Sequence, residues 1–318
     1  MTRPRPRSLA AALATGDRRA LARAITAVES GDASADPLLR AIFPRTGRIP
    51  IVGLTGPLGV GKSSLVNLLV AHLRAQGRSV GVVAVDPSSP FSGGSVLGDR
   101  IRLERRADDE GVFFRSMASR GASGGVAAST RDVARLLEAA GFDVVIVETV
   151  GSGQVDVAIR EVATTRIVVV VPHLGDEVQT LKAGLFEISD IFCINKSDLP
   201  GAETAERHLS ELASLGPTPD GWRSRIVRTS TVLPLGIPEL WAAVEAHEKF
   251  LADSPGRRDE LRRRLTEEIV SRVRDVLARE VAERLETDPS LRRLVDKVVA
   301  REIDPRTAAD RLLPLGRG

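Results

Sequence analysis

Residues 49–64 read IPIVGLTGPLGVGKSS. The first seven form a short, β-branched, apolar run, and Gly56, Gly61, Lys62 and Ser63 then fill the pattern G-x-x-x-x-G-K-[ST]. Behind them, KSSLVNLLVAHLRAQG carries apolar residues at helical spacing. A strand, a glycine loop and a helix in that order make a phosphate cradle. The glycines let the backbone turn its N–H groups onto phosphate oxygens, Lys62 reaches the outer phosphates, and the Ser63 hydroxyl can ligate Mg²⁺. From average composition, the four fixed positions would meet by accident in about one chain of this length in a hundred, so with the strand and helix in place the loop is read as a nucleotide site.

The rest of the chain agrees with that beginning. Further Val/Ile-rich runs follow: SVGVVAVD, GVFFRSM, FDVVIVET, RIVVVVP, DIFCIN and SRIVRTS, separated by amphipathic stretches. Most are continuously apolar rather than alternating, which predicts a largely parallel sheet covered by helices on both faces. The expected fold is α/β, a P-loop GTPase domain over residues 47–250. Residues 1–46 read as an N-terminal helical extension, in which Leu9, Leu13, Leu21, Ile25 and Val28 recur at near-helical spacing with a break at Gly16. Residues 251–318 read as a helical arm: Leu261, Leu265, Ile269, Val273, Val276, Leu277, Val281 and Leu285 mark one apolar face of a long helix. Asp288-Pro289 and Asp304-Pro305 mark two further helix starts, and the apolar face is expected to meet a second copy of the chain.

Which base is bound depends on Asn195-Lys196-Ser197-Asp198, at the end of the run DIFCI. A carboxylate only accepts hydrogen bonds, and guanine offers Asp198 its N1–H and exocyclic amine side by side, a pair that adenine lacks. The motif therefore selects GTP over ATP. Downstream, Ser230 and Thr231 in RTSTVLPLG occupy another strand end, where a base contact is expected.

Three carboxylates complete the phosphate side. Glu148 ends the strand VVIVET, and Gly151 three residues later can offer its N–H to the γ-phosphate. Most P-loop GTPases carry aspartate at this strand end; glutamate is one methylene longer and can serve the Mg²⁺ shell through a water or a neighbouring ligand. Asp86 ends the second strand, either near the attacking water or the metal or as a cap of the turn before Pro87. Asp99 follows the glycines Gly93, Gly94 and Gly98 in a switch-like segment, as a Mg²⁺ ligand or γ-phosphate sensor.

Composition excludes other classes. The 318 residues carry 45 basic against 42 acidic side chains, interspersed along the chain, with no tyrosine and ten scattered Phe and Trp, so no nucleic-acid stacking platform is present. There is no run of eighteen apolar residues and no signal-peptide pattern, and a cytoplasmic, membrane-free protein is expected. The single cysteine, Cys193, reads as a small core residue, and the four histidines do not cluster. His173 reads as a surface or capping residue.

The ordered segments GPLGVGKSS, VDPSSPFSGGSVLGDR, SRGASGGVA, ETVGSGQ, GDEVQTLKAGLFEISDIFCINKSDL and TS closely resemble the MeaB/ArgK family of methylmalonyl-CoA mutase-associated GTPases over nearly the whole chain. The resemblance implies a homodimeric G-protein chaperone that gates loading and protection of adenosylcobalamin on an acyl-CoA mutase, coupled to GTP binding and hydrolysis. Position by position it places Gly56, Pro57, Leu58, Gly59, Val60, Gly61, Lys62, Ser63 and Ser64 around the nucleotide and Asn195, Lys196 and Asp198 at guanine. It makes Asp86, Asp99 and Glu148 the Mg²⁺ and switch carboxylates, and residues 175–182 an additional switch. Ser152, Val155 and Thr231 depart from the family pattern. No glutamine directly follows Gly151, and Gln154 lies three residues on, which predicts slow hydrolysis until a partner orders the switches. The competing readings are a nickel-insertion-type maturation GTPase, against which the sparse histidines and cysteine speak, and a scaffold whose GTP is structural.

Overall fold

A computed structural model of the chain describes residues 6–86, 109–118, 125–149, 156–172, 189–214, 221–233 and 235–312. Asp99, Gly151, Ser152, Gln154, Val155, His173 and the segment 175–182 lie outside the described residues. Two compact units are present, residues 1–262 and 263–318.

The first unit is built on seven parallel strands: β1 (Ile51–Thr55), β2 (Val80–Asp86), β3 (Val112–Ala118), β4 (Val144–Thr149), β5 (Thr165–Val170), β6 (Ile191–Ile194) and β7 (Arg225–Arg228). Each coincides with one of the apolar runs of the sequence. Their order across the sheet is β3-β2-β4-β1-β5-β6-β7, parallel at every pairing. β4, with all six residues buried, shows why such runs do not alternate: both faces are covered.

One face carries α4 (Lys62–Ala75) and α8 (Ile237–Asp253). Leu65, Val66, Leu69, Val70 and Leu73 of α4 pack with Val52, Leu54, Val82 and Ile146 of the sheet and with Leu240 and Val244 of α8. Each such aliphatic side chain contributes about 2 kcal/mol on burial. The other face carries α5 (Gly125–Ala139) and α6 (Asp156–Val162), and over α5 lie α1 (Pro6–Ala14), α2 (Arg18–Glu29) and α3 (Ala35–Ile42). The stripe Leu9, Leu13, Leu21, Ile25 and Val28 is wholly buried there. The break at Gly16 is a left-handed residue, φ 77°, and the Asp17 carboxylate caps α2 by accepting from the Arg19 and Ala20 amides at 2.8 and 3.0 Å. Arg18 donates to the Asp109, Glu110 and Val112 carbonyls and Arg115 pairs with Glu29, which ties α2 to the edge strand β3. α7 (Ala202–Ser214) lies against β6 and β7.

Beyond Ser254, α9 (Arg257–Thr287) is a single 31-residue helix, followed by α10 (Pro289–Val299) and α11 (Pro305–Leu312). Asp288 accepts from the Ser290 amide and Asp304 from those of Arg306 and Thr307, so both Asp-Pro pairs are helix starts as the sequence predicts. Among the described residues no helix is long and apolar enough to cross a membrane.

The order of strands places the site. The chain moves from β1 over β4 to β2, then returns to the far side of β1 for β5, so the sheet changes direction beside β1. Ligands of open α/β sheets bind at the carboxyl ends of strands at such a point, and here the glycine loop leaves β1.

Candidate functional site

Thr55 ends β1 and the loop Gly56–Gly61 leads into α4. Gly56 has φ 142°, and a Cβ there would lie 2.2 Å from the Val169 carbonyl oxygen of β5; Gly61 has φ 94°, and a Cβ would lie 2.4 Å from Asn195 Nδ2. Neither position accepts a side chain. Pro57 and the exposed Leu58 and Gly59 form the outer edge of the loop, while Val60 is buried beneath it. Lys62, the first residue of α4, is 6% exposed, and its Nζ donates to the Gly56 and Pro57 carbonyls at 2.7 and 2.9 Å. The ammonium is thereby held over the loop that a phosphate chain would line. Ser63 and Ser64 follow in the first helical turn, where backbone N–H groups and the helix dipole favour anions.

Glu148 sits on β4 between Leu54 of β1 and Ala84 of β2, 3% exposed, and its Oε1 accepts from Ser63 Oγ at 2.6 Å. An aspartate, one methylene shorter, would not span that distance from the same backbone. Asp86 is placed by the strand at the carboxyl end of β2. Among the described residues no cluster of three or more His, Cys, Asp and Glu could hold a metal ion.

The segment after β6 is bound to the glycine loop and to the segment after β7. Asn195, fully buried, donates from Nδ2 to the Val60 carbonyl at 2.7 Å, and Lys196, at φ 55°, donates from Nζ to the Gly59 carbonyl at 2.9 Å. Ser197 donates from its amide and its hydroxyl to the Thr229 carbonyl at 3.0 and 2.7 Å. Ser230 Oγ donates to Asp198 Oδ1 at 2.5 Å and accepts from the Val232 and Leu233 amides at 3.2 and 3.0 Å. A hydroxyl has one proton and two lone pairs, so the Ser230 proton goes to the carboxylate. Thr231 follows, half-buried. The structure thus brings together the glycine loop, Lys62, Ser63 and Glu148 at one corner, and Asn195, Lys196, Asp198 and Ser230 at the other.

Sequence reasoning passed over Thr229. Its side chain is fully buried, with Oγ1 3.2 Å from Asn195 Oδ1 and 3.1 Å from Cys193 Sγ. The only sign of it in the sequence is the pair Thr229-Ser230 at a strand end. Burial pushes the Cys193 thiol up to about 12, against a smaller opposing effect of its hydrogen bond with Thr229, so the sulfur stays protonated.

The family profile described as methylmalonyl-CoA mutase-associated GTPase MeaB matches residues 21–286, from α2 through α9. The chain belongs to the MeaB family. A protein of Pyrococcus abyssi named as a GTPase is 46% identical over 94% of this chain and 93% of its own length. A mitochondrial methylmalonic aciduria type A homolog of Mus musculus is 32% identical over 95% of this chain and 77% of its own. Among solved structures, that of a LAO/AO transport system kinase is 28% identical, covers 100% of this chain and 99% of its own, and superposes with a TM-score of 0.73. A MeaB-family chain with this loop and sheet is a GTPase: it binds GTP at the P-loop and hydrolyses it.

Proposed function

We propose that this GTPase is a chaperone of an adenosylcobalamin-dependent acyl-CoA mutase, gating the loading and protection of that cofactor by its GTP cycle, and that it works as a homodimer. The family's description by its association with methylmalonyl-CoA mutase supports the partner class. The half-exposed apolar face of α9, with Ile269, Val273, Val276 and Leu277 all more than 50% exposed, supports the second copy.

The observation that carries the chemistry is the Ser63–Glu148 contact beneath the glycine loop. A hydroxyl and a carboxylate are hard oxygen donors of the kind Mg²⁺ takes. In this reading Ser63 and Glu148, with Asp86 and Asp99, would hold the cation, which would supply neutralisation of the phosphate charge. The loop amides of residues 56–64 and the Gly151 N–H bind phosphate oxygens, and Lys62 exchanges its loop carbonyls for the outer phosphates. Phosphoryl transfer to water needs positioning and charge stabilisation rather than a protein nucleophile, and these groups provide both. Asp198 accepts from the two adjacent N–H groups of guanine, with Asn195, Lys196, Ser230 and Thr231 completing the base corner.

Single-turnover hydrolysis measured alone and with the cognate mutase tests this. The expected result is a slow rate for the protein alone and a marked acceleration with the mutase. A fast unstimulated rate, or a mutase that leaves it unchanged, overturns the gating role and favours GTP as a structural ligand.

A further inference from the structure

At the amino ends of β5 and β6, the end of the sheet opposite the glycine loop, charged groups meet around a fully buried histidine. Arg166 of β5 donates to the Asp190 carboxylate from its amide, Nε and Nη2 at 2.7, 2.8 and 2.7 Å, and Asp190 is fully buried just before β6. Against this pair packs α8. His247, also fully buried, places Nε2 3.6 Å from Asp190 Oδ1 and Nδ1 2.8 Å from Thr165 Oγ1. Its neighbour Glu248 receives the Thr164 and Thr165 hydroxyls on one oxygen, Oε1, at 2.5 and 2.7 Å.

The protons can be placed by counting. Thr165 has one hydroxyl proton and a carboxylate only accepts, so that proton goes to Glu248. Toward His247 the Thr165 oxygen then offers lone pairs alone, and Nδ1 must carry a hydrogen and donate. A neutral ring protonated at Nδ1 keeps a lone pair on Nε2, the nitrogen that lies against the Asp190 carboxylate. A second proton on Nε2 turns that repulsion into an ion contact. Burial opposes the charge and the carboxylate favours it. The balance of the whole cluster decides: with an imidazolium, Arg166 and His247 match Asp190 and Glu248, whereas a neutral ring leaves one negative charge in excess. The rings of Trp222, with its centroid at 4.9 Å, and Phe250, stacked at 16°, add aromatic faces that suit a cation. Arg225 of β7 brings a like charge over the Trp222 ring at 5.3 Å, but it is exposed and solvent screens it.

We propose that His247 is held as an imidazolium at physiological pH and acts as a pH-sensitive latch, fastening the second half of α8 to the amino ends of β5 and β6. The native protein then binds a proton that the unfolded chain gives up near the ordinary histidine midpoint, about pH 6.5. The stability that comes from this proton is complete below that pH and is lost as pH rises through the higher midpoint of the folded protein. The latch lies at the other end of the strands from the glycine loop and stands whether or not the nucleotide placement does.

Two measurements test it. Nitrogen-15 NMR of His247, assigned by its loss in His247→Gln, should show both ring nitrogens protonated near pH 7 and a midpoint above about 6.5. Urea unfolding between about pH 6 and about pH 9 should give an unfolding constant that rises about tenfold for each unit by which that midpoint exceeds the ordinary one. His247→Gln keeps a donor for Thr165 but cannot titrate, and should lose this rise. A ring singly protonated near pH 7 overturns the proposal, as does a His247→Gln protein with the parent's pH dependence. Should His247→Gln not fold, the NMR titration of the parent decides alone, with the signal assigned through its contact with Trp222.

Discussion

Lys62 and Asp198 stand at the two corners of the proposed nucleotide site, and the chain holds them by different means. Lys62 is tied to carbonyls five and six residues behind it, within one loop, and beside it the pair Ser63–Glu148 reaches across to β4. Asp198 belongs to a corner braced across three separate stretches of chain: Asn195 and Lys196 to the glycine loop, Ser197 and Asp198 to Thr229 and Ser230. A corner whose function hangs on one ammonium and one carboxylate fails with either of them, whereas a braced corner loses selectivity in steps. Substitutions at the first should strike turnover, and those at the second should strike affinity and choice of base.

The largest effect is expected from Lys62→Ala. The ammonium is nearly buried against the Gly56 and Pro57 carbonyls. Removing a group that stabilises transition-state charge costs about a hundred- to a thousandfold in rate, so single-turnover GTP hydrolysis should fall to background while the circular dichroism spectrum and melting profile stay close to the parent's. Retention of more than a tenth of the parent rate would mean that the charge on the outer phosphates is met elsewhere, and the contrast between the corners would dissolve.

Next comes Glu148→Asp. The carboxylate retreats by one methylene and its 2.6 Å contact with Ser63 is lost. Changing a group that orients a metal ligand typically costs ten- to a hundredfold in metal affinity or activity. The expected outcome is a Mg²⁺ requirement raised about tenfold or more, with part of the rate recovered at high Mg²⁺. An unchanged Mg²⁺ dependence would remove Glu148 from the metal shell.

How much of this was legible beforehand differs along the chain. The inner strands were readable because a strand covered on both faces has no polar alternation to blur it, and the glycine loop because φ values such as that of Gly61 leave few residues able to occupy it. The helix starts at Asp17, Asp288 and Asp304 rest on local hydrogen bonds, and local signals survive in sequence. An apolar stripe says that a face seeks cover without saying what covers it. Leu13 and Ile25 find α5 and the sheet within the same chain, while Val273 and Leu277, at the same kind of spacing, remain half exposed. The Ser63–Glu148 contact and the Cys193–Thr229–Asn195 chain join residues tens of positions apart, and a threonine at a strand end has no motif of its own. These contacts depend on side-chain reach across the sheet, which only three-dimensional placement supplies.

At the base corner the stronger change is Asp198→Asn. The amide can still meet the Ser230 hydroxyl through its oxygen, but its NH₂ faces the guanine N–H groups with a donor where an acceptor is needed. Hydrogen bonds to charged groups contribute about 1.5–3 kcal/mol, so the GTP-over-ATP preference should fall about ten- to a hundredfold, with kcat for bound GTP little altered. Equal affinities of the parent for GTP and ATP would remove the base assignment altogether.

The smallest effect is expected from Ser230→Ala. Two consequences follow from the deletion of one buried hydroxyl. The Asp198 carboxylate loses a donor at 2.5 Å, but it lies at the surface and water replaces the bond at little cost. The Val232 and Leu233 amides lose their shared acceptor within a turn that is itself partly exposed. The net loss should be about 1 kcal/mol, the size of an ordinary protein hydrogen bond, read as a Kd for GTP and GDP weakened about fivefold alike and kcat unchanged. Calorimetric titration of both nucleotides against the parent, Ser230→Ala and Asp198→Asn ranks the two residues directly. If Ser230 only steadies the carboxylate, the double variant should bind no worse than Asp198→Asn alone, because the bond that the serine supports has already lost its purpose. If the two losses add in full, Ser230 touches the base on its own account, and the corner is read by two side chains instead of one.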